Sequence, residues 1–189
     1  MPNRPADGPV GTDVETAVAN QRIMSELLAM TLACNQTRVF NMLYSWSQSL
    51  LRKSGDTATH HTLSHEEPID ATLGYQPENA WFNLRSMGAL ADFIAALDKV
   101  REGDGTLLDH TLVVAHSDTN YAKIHAVDEI PVMTIGSGGG RIKTGLHIHG
   151  GGDPVTRIGL TAQQIMGVSV DRWGVGALSV SKPIDEIRI

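Results

Sequence analysis

The feature that most constrains the fold is a long helical pattern followed by two short apolar runs. The helix is predicted over Pro77 to Glu102, because Pro77 lies near its start and a glycine follows its end. The runs His110 to Ala115 and Pro131 to Ile135 are bounded by polar loops, which is typical of buried strands in a parallel sheet. We therefore expect an α/β fold in which a mostly parallel sheet is flanked by helices.

Apolar periodicity predicts further elements on both sides of this core. A capping pattern at Thr12 starts a helix that runs to about Asn35, and a last helix is predicted over Val155 to Gly167. Arg38 to Tyr44 is β-branched and aromatic, which favours a buried strand, and Arg141 to His149 is expected to be hairpin-like. The stripe that we expect to be buried in the long helix consists of Trp81, Leu84, Gly88, Ala91 and Ala95.

The chain is expected to hold one domain behind a short lead-in. Its 189 residues suit a single domain with its own hydrophobic core. Residues 1–12 are polar and rich in proline and glycine, which predicts a flexible lead-in, so that residues 13–189 form the single α/β domain. The lead-in contains no apolar signal region, which predicts that the chain as written stays in the cytoplasm.

Composition and charge disfavour two classes of partner. Hydrophobic residues make up 41% and charged residues 19%, as in ordinary globular proteins, and the formal net charge is −6. An acidic chain without basic runs is a poor match for nucleic acid, whose phosphates require a basic face. No apolar stretch approaches the roughly 20 residues needed to cross a bilayer. We therefore expect neither a nucleic-acid partner nor a membrane span.

The single cysteine, Cys34, limits how a metal could be held. One cysteine cannot form a disulfide within the chain or a cysteine zinc cluster, so any metal must be bound by His, Asp or Glu. Cys34 falls in the apolar pattern of the first helix, which predicts a buried core thiol.

The segment His60-His61-Thr62-Leu63-Ser64-His65-Glu66-Glu67 is the first candidate site. His61 and His65 are four residues apart, so a helical turn would place both imidazoles on one face, where they could hold one metal ion. Glu66 and Glu67 could orient an imidazole, complete the ligand set or act as a base. Ser64 is interpreted as a hydrogen-bond partner rather than a nucleophile. The alternative is a solvated loop that happens to contain several histidines.

Two further polar segments follow or precede the short apolar runs. His116-Ser117-Asp118 directly follows the first run, where an aspartate could bind a cation, orient a histidine or simply cap a turn. His125 has acidic neighbours just ahead of the second run and is unremarkable by itself.

A glycine run and a second histidine pair follow the second apolar run. The run Gly136 to Gly140 could cradle an anion, but no Gly-Lys-Ser/Thr follows it, so a tight turn is the favoured interpretation. His147 and His149 alternate as they would on one side of a strand and could supply a further ligand.

Several of these segments together resemble the bacterial family of unknown function that is named for its HxxSHH motif. The likeness runs from about Met24 to Trp173. His61-Thr62-Leu63-Ser64-His65 fits the motif, and Glu66 stands where the family has its last histidine. The other segments that resemble the family are Met24–Ala29, Ala33–Val39, Glu102–Val114, Ser117–Asn120, Pro131–Val132 and Gly138–Lys143.

The resemblance implies a two-metal site and a fold. The family is similar to the alkaline-phosphatase-like superfamily, in which two metal ions lie beyond the strand ends of an α/β sheet. By this likeness His61, His65 and His125 would hold one metal and Asp118 would help hold a second. The residues that would surround these ligands are Ser64, Glu66, Ser117 and His116. Zinc is the first expectation because imidazole suits it, with manganese or iron as alternatives.

The resemblance also implies a function class. A metal-binding hydrolase-like domain would act on a phosphate or sulfate ester, and the chain would be the C-terminal half of a longer family domain, without the nucleophile. The alternative is a non-catalytic binding or assembly protein that keeps the scaffold. An oligomer or a partner chain would then cover the surface of the missing half. Family members are often exported, which would place the protein in the periplasm.

Overall fold

A computed structural model describes residues 11–189, and within that range the protein is mostly helical. Helix accounts for 40% and strand for only 10%, in two small antiparallel sheets of two strands each. No parallel sheet is present in the described range. The predicted α/β fold with a mostly parallel sheet, and with it the partial alkaline-phosphatase-like architecture, is therefore wrong.

The elements follow one another in a helix-rich order. The helices are α1 (Val14–Ala33), α2 (His60–Glu66), α3 (Pro77–Asp98), α4 (Leu107–His110) and α5 (Thr156–Ile165). The strands are β1 (Arg101–Glu102), β2 (Gly105–Thr106), β3 (Val113–His116) and β4 (Val132–Ile135), paired β1 with β2 and β3 with β4. Short 3₁₀ turns occupy Ala122–Ile124, Gly176–Leu178 and Asp185–Ile187. None of the helices within residues 11–189 has the length and apolar character that a bilayer crossing requires.

Two of the predicted strands exist, but their direction differs from the prediction. In the β3–β4 pair, Val113 lies opposite Ile135 and His116 lies opposite Val132, so the strands are antiparallel. A parallel pair needs a crossover connection, which is usually a helix, whereas residues 117–131 contain only the turn Ala122–Ile124. The connection between the strands therefore favours the antiparallel pairing.

The chain divides into two compact units, which are described separately. The first unit extends to Glu102 and includes Ala122–Ile124, and the second comprises Gly103–Tyr121 and His125–Ile189. Most of the predicted lead-in lies outside the described residues, and the predicted single domain over residues 13–189 stays a prediction.

In the first unit, α1 packs along α3. The Arg22 guanidinium pairs with the Asp92 carboxylate across these helices at 2.7 Å. The buried face of α3 consists of Phe82, Ala89, Phe93 and Leu97. The stripe predicted from Trp81 and Leu84 is wrong, because Leu84 is 67% exposed and the Trp81 ring contacts the cations of Lys53 and Arg85.

Three other local predictions are also wrong. The segment Arg38 to Tyr44 forms no strand, and its side chains Val39 and Leu43 are 84% and 72% exposed. Cys34 follows the last residue of α1 and is exposed rather than buried, because the end of the helix lies at the surface. Arg141 to His149 forms no hairpin, because Ile142 bridges to Arg188 near the C-terminus instead.

The second unit has a core of Ile142, Ile165 and Ile187, against which Leu112 and Ile184 pack. Its α5 confirms the helix predicted over Val155 to Gly167, with slightly shorter ends. Backbone bonds from Lys143 N to Ile187 O (2.7 Å) and from Ile189 N to Arg141 O (3.1 Å) hold the C-terminal segment onto this core.

Candidate metal centre

Helix α2, which holds the histidine cluster, is anchored at its N-terminus by the preceding loop. The hydroxyl of Thr59 caps the helix by accepting a hydrogen bond from Thr62 N at 3.1 Å. His60 N donates to Leu51 O at 2.7 Å, and His61 N donates to Ser49 O at 3.1 Å. Three of the backbone N–H groups that a first turn normally leaves unpaired are thereby bonded, which fixes the backbone beneath His61.

The C-terminus of α2 is anchored to the start of α3. The buried Gln76 donates through Nε2 to Glu67 O at 2.8 Å and to Ser64 O at 3.2 Å. The Glu67 carboxylate accepts hydrogen bonds from the backbone N–H groups of Glu78 and Asn79, each at 2.8 Å, in the first turn of α3. Glu67, which the sequence offered as an orienting group or a base, is therefore a helix-capping residue.

His60 is partly buried against α3 in the first unit. Its ring stacks on Phe82 with centroids 4.8 Å apart and planes 6° from parallel. Burial lowers the pKa of His60, a hydrogen bond with the Asn79 side chain opposes this shift, and the charge of His61 lowers the pKa further. The ring is therefore neutral at pH 7 and has a packing role.

The pKa direction of His60 predicts how stability depends on pH. Unfolded His60 titrates near pH 6.5, and the folded pKa lies below that value, so the unfolded chain takes up the proton first. The contribution of neutral His60 to the free energy of unfolding is complete above about pH 6.5. It is lost as the pH falls from there through the lowered folded pKa. We expect His60→Phe, which keeps the stacking, to flatten the fall of the unfolding free energy below pH 6.5.

Urea denaturation in EDTA at several pH values measures this effect. His149→Phe removes an exposed histidine and is the matched control, which should follow the wild-type pH dependence. If the His60→Phe curve also runs parallel to that of the wild type, the account of His60 is wrong.

The predicted pair His61 and His65 meets on one face of α2. Their rings lie edge to face, with centroids 4.7 Å apart and planes at 78°. Zinc with Zn–N bonds of about 2.1 Å and a near-tetrahedral angle would place two imidazole centroids about 5 Å apart. The separation of the two rings matches that of two ligands of one ion. The helical turn on which the i, i+4 prediction depended is present, as α2.

A second contact orients the His65 ring. Its Nδ1 lies 3.2 Å from the backbone carbonyl oxygen of Lys123, in the turn Ala122–Ile124 of the same unit. A carbonyl oxygen only accepts hydrogen bonds, so Nδ1 is the donor. Sequence reasoning missed this partner, because Lys123 is far away in the chain and contributes only its backbone.

The residues between and after the pair have different roles. Ser64 is buried, and its hydroxyl donates to His61 O at 2.7 Å within the helix. The hydroxyl proton is therefore directed at a backbone carbonyl of the same helix. Glu66 is exposed at the end of α2.

The other predicted ligands belong to the second unit. His116, Ser117 and Asp118 are exposed at the end of β3, where His116 Nδ1 lies 3.0 Å from Ser117 O. His125 is exposed and has a φ of +52°, a left-handed conformation that histidine adopts more readily than most residues.

Among residues 11–189, no three His, Cys, Asp or Glu side chains come together as a group that could hold a metal. The structure brings together His61 and His65, and the roles of His125 and Asp118 stay predictions.

The glycine run is a turn, as favoured from the sequence. Gly138 N donates to Thr111 O at 3.1 Å and Gly139 N donates to Asp109 O at 2.8 Å. These amides are used within the protein, so they are not directed at an anion. The pair His147 and His149 lies in an exposed segment.

A groove of about 560 Å³ lies between α1 and α3 in the first unit. Four alanines, Met30 and Val100 line it, together with the paired Arg22 and Asp92. Cys34 also lines it. None of the predicted site residues lines this groove, and no motif in the sequence indicated it.

No protein-family model, curated protein or solved structure matches this chain. The resemblance to the HxxSHH family therefore stays a prediction that rests on its motif residues.

Proposed function

We propose that this chain is a divalent-metal-binding domain of the hydrolase-like class, with His61 and His65 as paired imidazole ligands. The observation that supports this most is the 4.7 Å separation of the two rings on one helix face. The helix that presents them is fixed at both ends, by the Ser49 and Leu51 carbonyls and by Gln76. Ligands held by such contacts lose little freedom when a metal binds.

Zinc is the metal that this donor pair suits best. Neutral imidazole is a preferred zinc ligand, and zinc sites in proteins are completed by further donors or by water. A bound zinc ion would polarise an ester oxygen or a water molecule. The chain's own part is to hold the ion, and the ester-hydrolase part of the proposal rests on the motif resemblance alone.

Calorimetric titration of untagged protein with zinc tests the metal site. We expect His61→Ala combined with His65→Ala to weaken binding more than about 100-fold, because even indirect partners of metal ligands are worth 10- to 100-fold. The matched control is His147→Ala combined with His149→Ala, which removes the same number of imidazoles from an exposed segment. The control should bind zinc like the wild type.

Two outcomes would contradict the proposed site. Unchanged zinc affinity in the His61 and His65 double variant would exclude this pair as ligands. Loss of binding in the His147 and His149 variant alone would move the site to that segment.

A second candidate function, an assembly protein, is favoured by an exposed apolar segment. Residues 38–44 have the composition of a buried strand, yet Val39 and Leu43 are largely exposed. A contiguous exposed apolar patch can mark a surface that another chain covers. The partner proposed to cover this segment is a second copy of this chain.

Sedimentation velocity tests the assembly function. If this function is correct, the wild-type protein is oligomeric, and Val39→Ser combined with Leu43→Ser shifts it toward monomer. Asn41→Ser changes an exposed polar residue in the same segment and should leave the oligomer intact. A wild-type protein that stays monomeric at every concentration would contradict the assembly function.

A further inference from the structure

We propose that the turn Ala122–Ile124 selects the metal-binding atom of His65, with the Lys123 carbonyl holding the ring so that Nε2 is the ligand. Lys123 is therefore a positioning residue that acts through its backbone. This inference rests on the proposed metal site, which it extends by naming the ligand atom and the group that orients it.

The argument starts from the chemistry of the hydrogen bond. The Lys123 carbonyl oxygen has lone pairs and no proton, so the 3.2 Å contact requires a proton on His65 Nδ1. In a neutral imidazole only one nitrogen carries a proton, so Nε2 retains the lone pair. A metal ligand needs that lone pair, and Nε2 is the atom that supplies it.

The arrangement is the one by which proteins usually orient a metal-binding histidine. Such histidines donate their other ring N–H to a carboxylate or a backbone carbonyl, which fixes both the tautomer and the direction of the ring. The turn that carries Lys123 packs against α2 within the first unit, while Gln76 and the Thr59 cap hold the helix itself. The helix therefore fixes the backbone of His65, and the Lys123 carbonyl fixes the orientation of its ring.

The proposal also explains why a segment distant in sequence belongs to this site. Lys123 lies 58 residues beyond His65 in the chain, yet Ala122–Ile124 groups with the first unit rather than with its sequence neighbours. The side chain of Lys123 is exposed, so the contact depends on the path of the backbone and not on the residue type.

Long-range ¹H–¹⁵N NMR of the full chain, first free of metal and then with added zinc, tests the proposal. At about pH 8, where an ordinary imidazole is neutral, we expect His65 Nδ1 to carry the proton and Nε2 to be unprotonated. Zinc should then shift the Nε2 resonance. An Nε2–H tautomer in the free protein, or coordination through Nδ1, would overturn the inference while leaving the metal site intact.

Two residue replacements separate the ligand atom from its orienting bond. Nδ1-methylhistidine at position 65 keeps the Nε2 lone pair but removes the bond to Lys123, so zinc affinity should fall about tenfold. Nε2-methylhistidine removes the ligand atom and should abolish the contribution of His65. The reverse order of effects would overturn the inference. Lys123→Ala keeps the carbonyl and should leave the affinity unchanged, whereas a tenfold loss would contradict a backbone role.

If no variant and no wild-type protein binds zinc, the proposed function fails. The tautomer of metal-free His65 still decides the hydrogen-bond assignment in that case, so the two failures are distinguishable.

Discussion

Gly136→Ala is expected to lower the free energy of unfolding by more than about 4 kcal/mol, which is at the extreme of single substitutions. A Cβ atom at this position would lie 2.3 Å from Thr111 O and 2.9 Å from Leu108 O. Both contacts are with backbone, so no side-chain rotation can relieve them. The φ of +92° adds backbone strain for any residue with a side chain. Urea denaturation followed by circular dichroism measures the change.

Gly140→Ala is the matched control for this prediction. Gly140 has a similar φ of +79°, but in the described part of the chain no atom lies within 4 Å of the added Cβ. Gly140→Ala should therefore lower the free energy of unfolding by only about 1–2 kcal/mol, through backbone strain. Equal effects of the two substitutions would show that the contact with the Thr111 carbonyl is not what requires glycine at position 136.

Gln76→Met is expected to destabilise the protein by about 2 kcal/mol, because buried carbonyl groups lose their donor. Methionine has a similar length but cannot donate to the Glu67 and Ser64 carbonyls at the end of α2. The end of α2 that carries His65 is then less well fixed. We therefore also expect zinc affinity to fall several-fold, although no ligand has been removed.

Gln48→Met is the control for the buried glutamine. Gln48 lies in an exposed turn, so this substitution makes the same chemical change without burying an unpaired group. Its effect on stability should stay within about 0.5 kcal/mol. An unchanged unfolding free energy for Gln76→Met would mean that the bonds between α2 and α3 do not stabilise the protein.

The helices were the most predictable part of the fold. Pro77 at the start of α3 and the apolar spacing of α1 and α5 depend on local sequence, and these helices form close to where they were expected. The buried face of α3 was not predictable, because it depends on which rings the neighbouring helix can cover. Phe82 and Phe93 are buried, and Leu84 is left exposed.

Whether the strands pair in parallel or antiparallel could not be predicted from the apolar pattern. The apolar runs that became β3 and β4 have the composition of parallel strands, but pairing is decided by the connection between them. The segment Arg38 to Tyr44 shows the same limit, since β propensity alone did not provide a partner strand.

The candidate site was predictable where it is local. The i, i+4 spacing of His61 and His65 is realised on α2 because both residues lie within one helix. The capping role of Glu67, the donor Gln76 and the Lys123 carbonyl depend on tertiary contacts. No spacing rule relates those residues to the pair.

Zinc K-edge X-ray absorption of the zinc-loaded protein tests the metal site most directly, because it counts imidazole ligands. We predict nitrogen scatterers at about 2.0–2.1 Å with at least two imidazoles per zinc. The His61→Ala, His65→Ala variant should retain little zinc under the same loading conditions, and the His147→Ala, His149→Ala variant should keep the wild-type imidazole count. A wild-type spectrum without imidazole scattering, or one that the first variant reproduces, would contradict the metal centre at α2.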